Sequence, residues 1–578
     1  MNRPYRNRTM PAFARYRAEL YGTKGAISSN NPYATKIGLE ILKQGGNAAD
    51  AAVAVSLTLG LVEPFNSGIG GGCFTLYYDK KDDRFYGVNA RGVAPAAATP
   101  DMFLGKDGEP DPELCEHYGK VVATPTMYRA YEKLLREHGT MTLREVSAPV
   151  IRLAREGFRC GFLYARASED TDMDYNAKRF EGFADLYLEH GKRRELGDLV
   201  KNPDLADTME QVAEHGADWF YTGPIAREIV SAVQRYFGVM TEKDLADCRV
   251  LDCEPVRGTY RDRYGVVSMA PPSSGGIALI QMLNILENFD LPSMGRGSAE
   301  SLHLIAETMK LMFADHSVNV GDPAFVDIPL KKILSKEYAK ELAAKIDLTR
   351  AQAYAPTPGI EAVERNNGCT THFNIQDQYG NMLSQTQTVR SWWASGVVVP
   401  GRGFVLNNNM SDFSAKAGSL TSQGLVYAAA NAVRPGKTPL SSMMPTIVTR
   451  DGVPFLTIGS AGGPRIITST LGALLSVLDY GTGMEVAVNS PELCTLSQKQ
   501  GLELDEAVSP DTAALLAQRG HKVNRLEAGG YIKGFVNGIE RSDGKLYPCG
   551  SLFRSECGGS GVLTDDLTIV TDGFHFEQ

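Results

Sequence analysis

The chain has 578 residues, of which 43% are hydrophobic and 22% charged, with a formal net charge of −9. That length predicts two or more domains or one large composite one. The acidic balance, with no basic stripe to neutralise phosphates, argues against nucleic-acid binding, and the longest apolar runs, such as Ala48–Val62 with Asp50 inside it, are too short to span a bilayer, so no membrane partner is expected.

From the N-terminus, Met1–Gly22 is basic but lacks the apolar core of a secretory signal, and a cytoplasmic setting is expected. The nine cysteines are scattered, none at CxxC spacing, and read as reduced core thiols. The nine histidines are dispersed without HExxH or paired ligand spacing, so no metal and no cofactor is expected. Asn31–Asn47 predicts an amphipathic helix ended by Gly45-Gly46, and an Ala-rich buried helix follows. "EPFNSGIGGGCFTLYYD" is then a glycine-rich loop that follows a helix and opens a strand. That is the reverse of a dinucleotide fingerprint, and its glycines are read as close backbone packing or a turn near a site.

From Thr124 to about Phe237 the pattern is mostly helical. Ala270–Glu287 reads as a loop capped by Ser273-Ser274 and leading into a helix, and "SAESLHLIAETMKLMFADHS" as another long amphipathic helix. After about Gly359 strand-like runs dominate: "THFNIQD", "NMLSQTQTV", "GFVLNN", "MPTIVTR" and "PFLTIGS". Two helices and a strand follow. The organisation is helix-rich for two-thirds of the chain and strand-rich for the last third, divided near Cys369, and it suggests sheets sandwiched by helices.

The division falls at "NNGCTTHFNIQDQYGNMLSQTQTV". Asp377 and Asn381 flank a three-residue hairpin loop in which Gly380 supplies the left-handed position. Counting back along both strands sets Thr388 opposite Thr370, give or take one residue for a bulge. The ordinary reading is a stabilising cross-strand threonine pair. The chemical reading is a nucleophile: were the chain cut before Thr370, the new α-amine, with a pKa near 8, would be the base for that residue's own hydroxyl.

With these residues the chain resembles the γ-glutamyltranspeptidase family of N-terminal-nucleophile hydrolases, from about Gly25 to about Leu567. The motifs are "ILKQGGNAADAAVA", "EPFNSGIGGGCF", "PPSSGGIALIQML", "FADHSVNVGDPAFVD", "TTHFNIQDQYGN", "GFVLNNNMSDFSAK", "PLSSMMPTIV" and "GSAGGPRIITS". The resemblance implies an α/β fold of four layers, αββα, with two stacked antiparallel sheets between helices. It implies a precursor that Thr370 cuts after Cys369 into a large subunit, 1–369, and a small one, 370–578, which stay associated; further dimerisation is left open. It also implies that Thr370 forms an acyl-enzyme with a small amide substrate, that Thr388 is the supporting hydroxyl, and that Gly462 and Gly463 form the oxyanion hole.

For the substrate, the resemblance assigns Arg91 to the α-carboxylate, Ser441 and Ser442 to the paired serines, and Asp412 to the α-amino group. The ordinary readings are a surface salt bridge, turn caps and an Asx turn. Two positions depart from the family. Arg390 stands where Asn is usual, and Asn409 where Gln is typical. Arg390 is expected at the acyl pocket, on the strand face of Thr388; its ordinary reading is an exposed structural arginine. Trp392-Trp393 beside it read as core or lid packing. Gln423, in the lid segment, stands where some members have a gating Tyr. The leading reading is a γ-glutamyltransferase or glutathione hydrolase. A second is an amidohydrolase on the same scaffold for a short acidic amide, oxamate-like, or an acylated amine. A third, from another class, is a non-enzymatic binding protein.

Overall fold

The computed structural model describes residues 19–354, 369–416, 429–496, 501–526, 534–552 and 559–572. The first 18 residues of the basic lead, and Gln423 with its neighbours 417–428, lie outside the described residues. Among the described residues no helix is long and apolar enough to cross a membrane.

Two antiparallel sheets carry the molecule. The first has eight strands, in the order Ile569–Thr571, Ser560–Leu563, Gly25–Ser28, Thr371–Asp377, Met382–Thr388, Gly72–Asp79, Arg84–Ala90 and Leu251–Cys253. The second has six, in the order Lys545–Gly550, Phe535–Ser542, Val453–Ala461, Thr446–Arg450, Tyr264–Ser268 and Val256–Tyr260. Segments from before and after Cys369 interleave in the first sheet and lie side by side in the second, where Thr446–Arg450 pairs with Tyr264–Ser268. The hairpin Thr371–Thr388 lies in the middle of the first sheet, and every residue of its two strands is buried.

The hairpin's alternation explains its polar content. Phe373, Ile375 and Leu383 point to one side and join the core made by the buried helix Ala48–Val62. His372, Asn374 and Gln376 point to the second sheet, and the amides of Asn374 and Gln376 are satisfied there. Asn374 Nδ2 donates to Asn537 O at 2.9 Å, and Gln376 Nε2 to Ile539 O at 2.9 Å. Asn537 Nδ2 in turn donates to His372 O at 3.0 Å. The two sheets are therefore joined by hydrogen bonds as well as by apolar contact, and buried polar groups left unpaired would each cost about 1–3 kcal/mol. Gly459 in the second sheet permits the approach: a Cβ there would lie 2.3 Å from His372 Cε1. The helices Gly275–Leu286 and Arg465–Leu478 cover the other face of the second sheet.

Asp50, inside the apolar run, closes a capping box with Asn47 at the start of the buried helix. It also accepts N–H groups from Thr140 and Met141. The expected helices appear over Pro32–Lys43, Met127–His138, Leu143–Glu156, Pro203–His215, Pro224–Arg235 and Ala299–Asn319. "GFVLNN" forms no strand beyond an isolated bridge between Val398 and Val405. Ser273 and Ser274 do not cap the helix Gly275–Leu286. Their hydroxyls turn outward, Ser273 Oγ donating to Met443 O at 2.6 Å and Ser274 Oγ to Ser441 O at 3.1 Å. The motif "PPSSGG" is a brace for the loop that carries Ser441 and Ser442.

Candidate active site

The hairpin register is the one the loop dictates. Met382 pairs with Gln376 and Gln387 with Thr371, and Gly380 takes φ +90°. At the open end the Thr370 hydroxyl donates to Thr388 Oγ1 at 3.1 Å, and Arg390 N–H donates to the same oxygen at 2.8 Å. Thr388 Oγ1 thus accepts twice, and Thr370 lines the pocket beside it. Thr370 itself is in the left-handed region, φ +110°, an uncommon and costly conformation for a β-branched residue.

The glycine-rich loop 63–72 holds both strands of this end. Asn66 O accepts Val389 N–H at 3.0 Å, and Cys369 Sγ lies 3.3 Å from the same oxygen. A Cβ at Gly71 would lie 2.3 Å from Thr388 O, so the loop can press on the strand end only as glycine. His372, next to the pair in sequence, is bound to Thr386, at 2.8 Å, and to Asn374 and Ser384. Burial drives its imidazole down to about 3, so the ring is neutral and structural.

A pocket opens above the threonines. Its walls include Arg91, Thr370, Thr388, Arg390, Asp412, Ser441, Ser442 and Gly463. Eight of the ten residues expected at the site therefore meet there. Ser442 Oγ donates to Gly463 O at 2.8 Å, joining the serine loop to the glycine turn. Gly462 is the residue before, at φ +126°, and its carbonyl accepts Arg465 N–H as the helix Arg465–Leu478 begins. Asn409 is not on the wall. It is wholly buried, and neither its Oδ1 nor its Nδ2 has a hydrogen-bond partner among the described residues.

Arg390 reaches the pocket by a different route from the expected one. The strand ends at Thr388, and Arg390 turns in a left-handed conformation, φ +92°, instead of continuing the alternation. It is buried, not exposed. Its Nη1 lies 2.5 Å from Glu116 Oε2 and its Nε 3.0 Å from Asp412 Oδ1. Asp412 Oδ2 meets Arg91. Two guanidiniums and two carboxylates therefore run in a chain: Arg91, Asp412, Arg390, Glu116. Burial disfavours the Arg390 charge, but Glu116 and then Asp412 outweigh it and raise its pKa above the ordinary value. Glu116 carried no signal in its local sequence. The signal was indirect, since a second buried cation requires a second anion. The tryptophans are core: Trp393 Nε1 donates to Ala167 O at 2.7 Å, and its ring packs among Phe65, Tyr164, Phe183 and Tyr187.

Comparisons with known proteins identify the family. The profile of the γ-glutamyltranspeptidase family matches residues 34–558. The chain is 39% identical over 530 residues to the glutathione hydrolase proenzyme of Escherichia coli (strain K12), covering 91% of this chain and 89% of that one. It is 33% identical over 542 residues to the acylase ACY 1 proenzyme of Pseudomonas sp. (strain SE83), covering 93% and 92%. Among solved structures, cephalosporin acylase from Bacillus halodurans superposes with a TM-score of 0.83 at 25% identity over 100% of both chains. The γ-glutamyltranspeptidase of Helicobacter pylori matches 58% of this chain and 95% of that one, with a TM-score of 0.54 at 34% identity. With a family profile spanning most of the chain and relatives matched over nearly their whole length, this protein belongs to the γ-glutamyltranspeptidase family of enzymes.

Proposed function

We propose that the protein is a self-processing amidase and acyltransferase whose nucleophile is the Thr370 hydroxyl, with γ-glutamyl amides as its donors. The observation that carries this is the Thr370–Thr388 hydroxyl pair at the floor of a pocket walled by Arg91, Asp412, Ser441, Ser442 and Gly463. Thr370 Oγ1 attacks the Cys369 carbonyl, the C–N bond breaks, and the Cys369 acyl group passes to oxygen as an ester. Water hydrolyses the ester, leaving a carboxylate on Cys369 and a free α-amine on Thr370. The left-handed φ of Thr370 favours this step: such strain is worth roughly 1–3 kcal/mol, and the torsion no longer exists once the preceding bond is cut. The parts 1–369 and 370–578 would stay together, because their strands interleave in the first sheet and pair side by side in the second. The contacts of helix on sheet, sheet on sheet and sheet on helix support an αββα sandwich.

In the processed enzyme the α-amine takes the hydroxyl proton as Thr370 Oγ1 adds to the donor carbonyl, and backbone N–H groups at Gly462 and Gly463 stabilise the oxyanion. Collapse returns the proton to the leaving amine and leaves an acyl-threonine, which water or an acceptor amine then releases. Arg91 and the serine pair would take the donor's carboxylate. The eight described cysteines, none in a disulfide, support a cytoplasmic setting.

A second reading has its own observation. Both oxygens of Asp412 are engaged by guanidiniums, Arg91 and Arg390, so an incoming α-ammonium must compete for them. That favours acyl donors that keep the carboxylate and lack the amine. The test is mass spectrometry of purified wild-type and Thr370→Ala protein after incubation with γ-glutamyl-p-nitroanilide, glutaryl-p-nitroanilide and oxamate. Wild type should show two chains, with Thr370 at the new N-terminus and an acyl adduct on the small one. Thr370→Ala should stay whole. An active wild-type protein that remains one chain would overturn the mechanism. An adduct from the glutaryl donor alone would select the second reading.

A further inference from the structure

Three chemistry-bearing side chains that do not line the pocket, and that the proposed reaction does not use, converge elsewhere. His303 and Glu307 are four residues apart, on one face of the helix Ala299–Asn319. His521 follows the helix Pro510–Gln518, held by its N–H to Leu516 O at 3.2 Å. All three are buried, with relative exposures of 0%, 0% and 8%. We propose that His303 Nδ1, Glu307 Oε1 and His521 Nε2 form a zinc-class divalent-metal site that fastens the end of the segment preceding Cys369 to the segment following it.

The three ligand atoms lie within 4.8 Å of one another. His303 Nδ1 is 2.7 Å from His521 Nε2, and His521 Nε2 is 3.9 Å from Glu307 Oε1. Tetrahedral zinc with bonds of about 2.0–2.1 Å needs neighbouring ligand atoms roughly 3.3 Å apart. One edge must open by roughly 0.6 Å and the other close by a similar amount. The supporting contacts are those that metal ligands require. His303 Nε2 is 2.8 Å from Asp347 O, and since a carbonyl only accepts, the proton is on Nε2 and the Nδ1 lone pair points into the cluster. Glu307 Oε2 accepts from Tyr354 OH at 2.6 Å and from Gln352 N–H at 3.1 Å, which leaves Oε1 toward the histidines.

The competing explanation is a simple hydrogen-bond cluster, with His521 donating to His303 and Lys310 neutralising Glu307. Lys310 Nζ does contact Glu307 Oε1 and also donates to Gln352 O at 2.9 Å. It is therefore the rival cation, and this separates the two explanations. Residues 347–354, which hold His303 and Glu307, come just before residue 355 and the approach to the scission point. His521 and Arg519, whose carbonyl accepts Ala351 N–H at 2.7 Å, come after it. A metal here would join the two chains once they are cut.

The experiment is calorimetric titration of the chelator-dialysed full-length protein with Zn2+, with Co2+ absorption as a spectroscopic probe. Wild type should bind one equivalent with the spectrum of tetrahedral nitrogen and oxygen ligation. His303→Gln and His521→Gln should weaken it at least tenfold, and Lys310→Met should tighten it by about as much. Because these variants alter a buried cluster, the wild-type Co2+ spectrum stands as an independent reading: thiolate bands would place the ion on cysteines and overturn the proposal. Absence of binding in both wild type and Lys310→Met, or binding that survives both histidine substitutions, would overturn it as well.

Discussion

Thr388 accepts the Thr370 hydroxyl proton at 3.1 Å while its own oxygen is fixed by Arg390 N–H at 2.8 Å. The second bond matters because a hydroxyl is a free rotor, and the backbone donor sets where its lone pairs point. Thr370 then has its proton directed to Thr388, and its oxygen, on the pocket wall, keeps its lone pairs for an electrophile. Thr388→Ala removes the acceptor and leaves two buried donors unpaired, at about 1–3 kcal/mol each. Processing and turnover should both slow by roughly ten- to a hundredfold on that scale, and Thr388→Ser should restore most of each. The half-time of chain cleavage on a gel, with kcat, measures this. Equal slowing in Thr388→Ser would mean that the methyl group, not the hydroxyl, is what the site requires.

The two uses of Thr370 differ in their base. In the uncut chain its nitrogen is an amide and cannot take a proton. In the processed enzyme it is an α-amine with a pKa of about 7.7–8.0. The amine acts in its neutral form, so kcat/KM should fall as pH drops through that value, with a slope of one. The processing rate should lack this limb. A common acid limb in both profiles would point to a different base shared by the two steps.

Gly459 tests the joint between the sheets. A methyl group there would meet His372 Cε1 at 2.3 Å, and that ring is held by Thr386, Asn374 and Ser384. Gly459→Ala should destabilise the precursor by about 1–3 kcal/mol, as overpacking does. It should also slow processing, because Thr370 directly precedes the strand that carries His372. Unchanged thermal unfolding and processing would show that the sheets part easily.

The hairpin was legible because its determinants are local. Gly380 between Asp377 and Asn381 fixes the loop, the loop fixes the register, and the register sets Thr370 against Thr388. Two short strands were less legible: Gly25–Ser28 gains its identity from Ser560–Leu563 and Thr371–Asp377, hundreds of residues away on either side of it, and Ile569–Thr571 is a three-residue edge strand paired with Ser560–Leu563. The roles of Ser273 and Ser274 were misread for a similar reason. A serine before a helix is locally a cap, and only the fold brings Ser441 and Met443 within its reach. His303 and Glu307 are four residues apart on one helix, a spacing that by itself reads as an ordinary helix face, and only the fold brings His521 to them.

Arg390 and Glu116 should behave as one unit. They pair at 2.5 Å in a largely buried setting, where stranding one charge costs about 3–5 kcal/mol, whereas replacing both is often nearly neutral. Arg390→Asn alone installs the usual family residue but leaves Glu116 without its guanidinium beside the acyl pocket, so stability and activity should both fall. Glu116→Gln alone should be milder, since Asp412 still holds Arg390 at 3.0 Å. The double variant should recover most of the stability, a coupling measurable in a double-mutant cycle. It should also release Asp412 from one of its two guanidiniums and free that carboxylate for an α-ammonium. The preference for γ-glutamyl over glutaryl p-nitroanilide, read as a ratio of kcat/KM, should then rise by roughly ten- to a hundredfold, equivalent to 1.5–3 kcal/mol for a charge-assisted hydrogen bond gained. If the double variant is stable but ranks the two donors as wild type does, the Arg390–Glu116 pair is scaffold, and the choice of acyl group belongs to Arg91, Ser441 and Ser442.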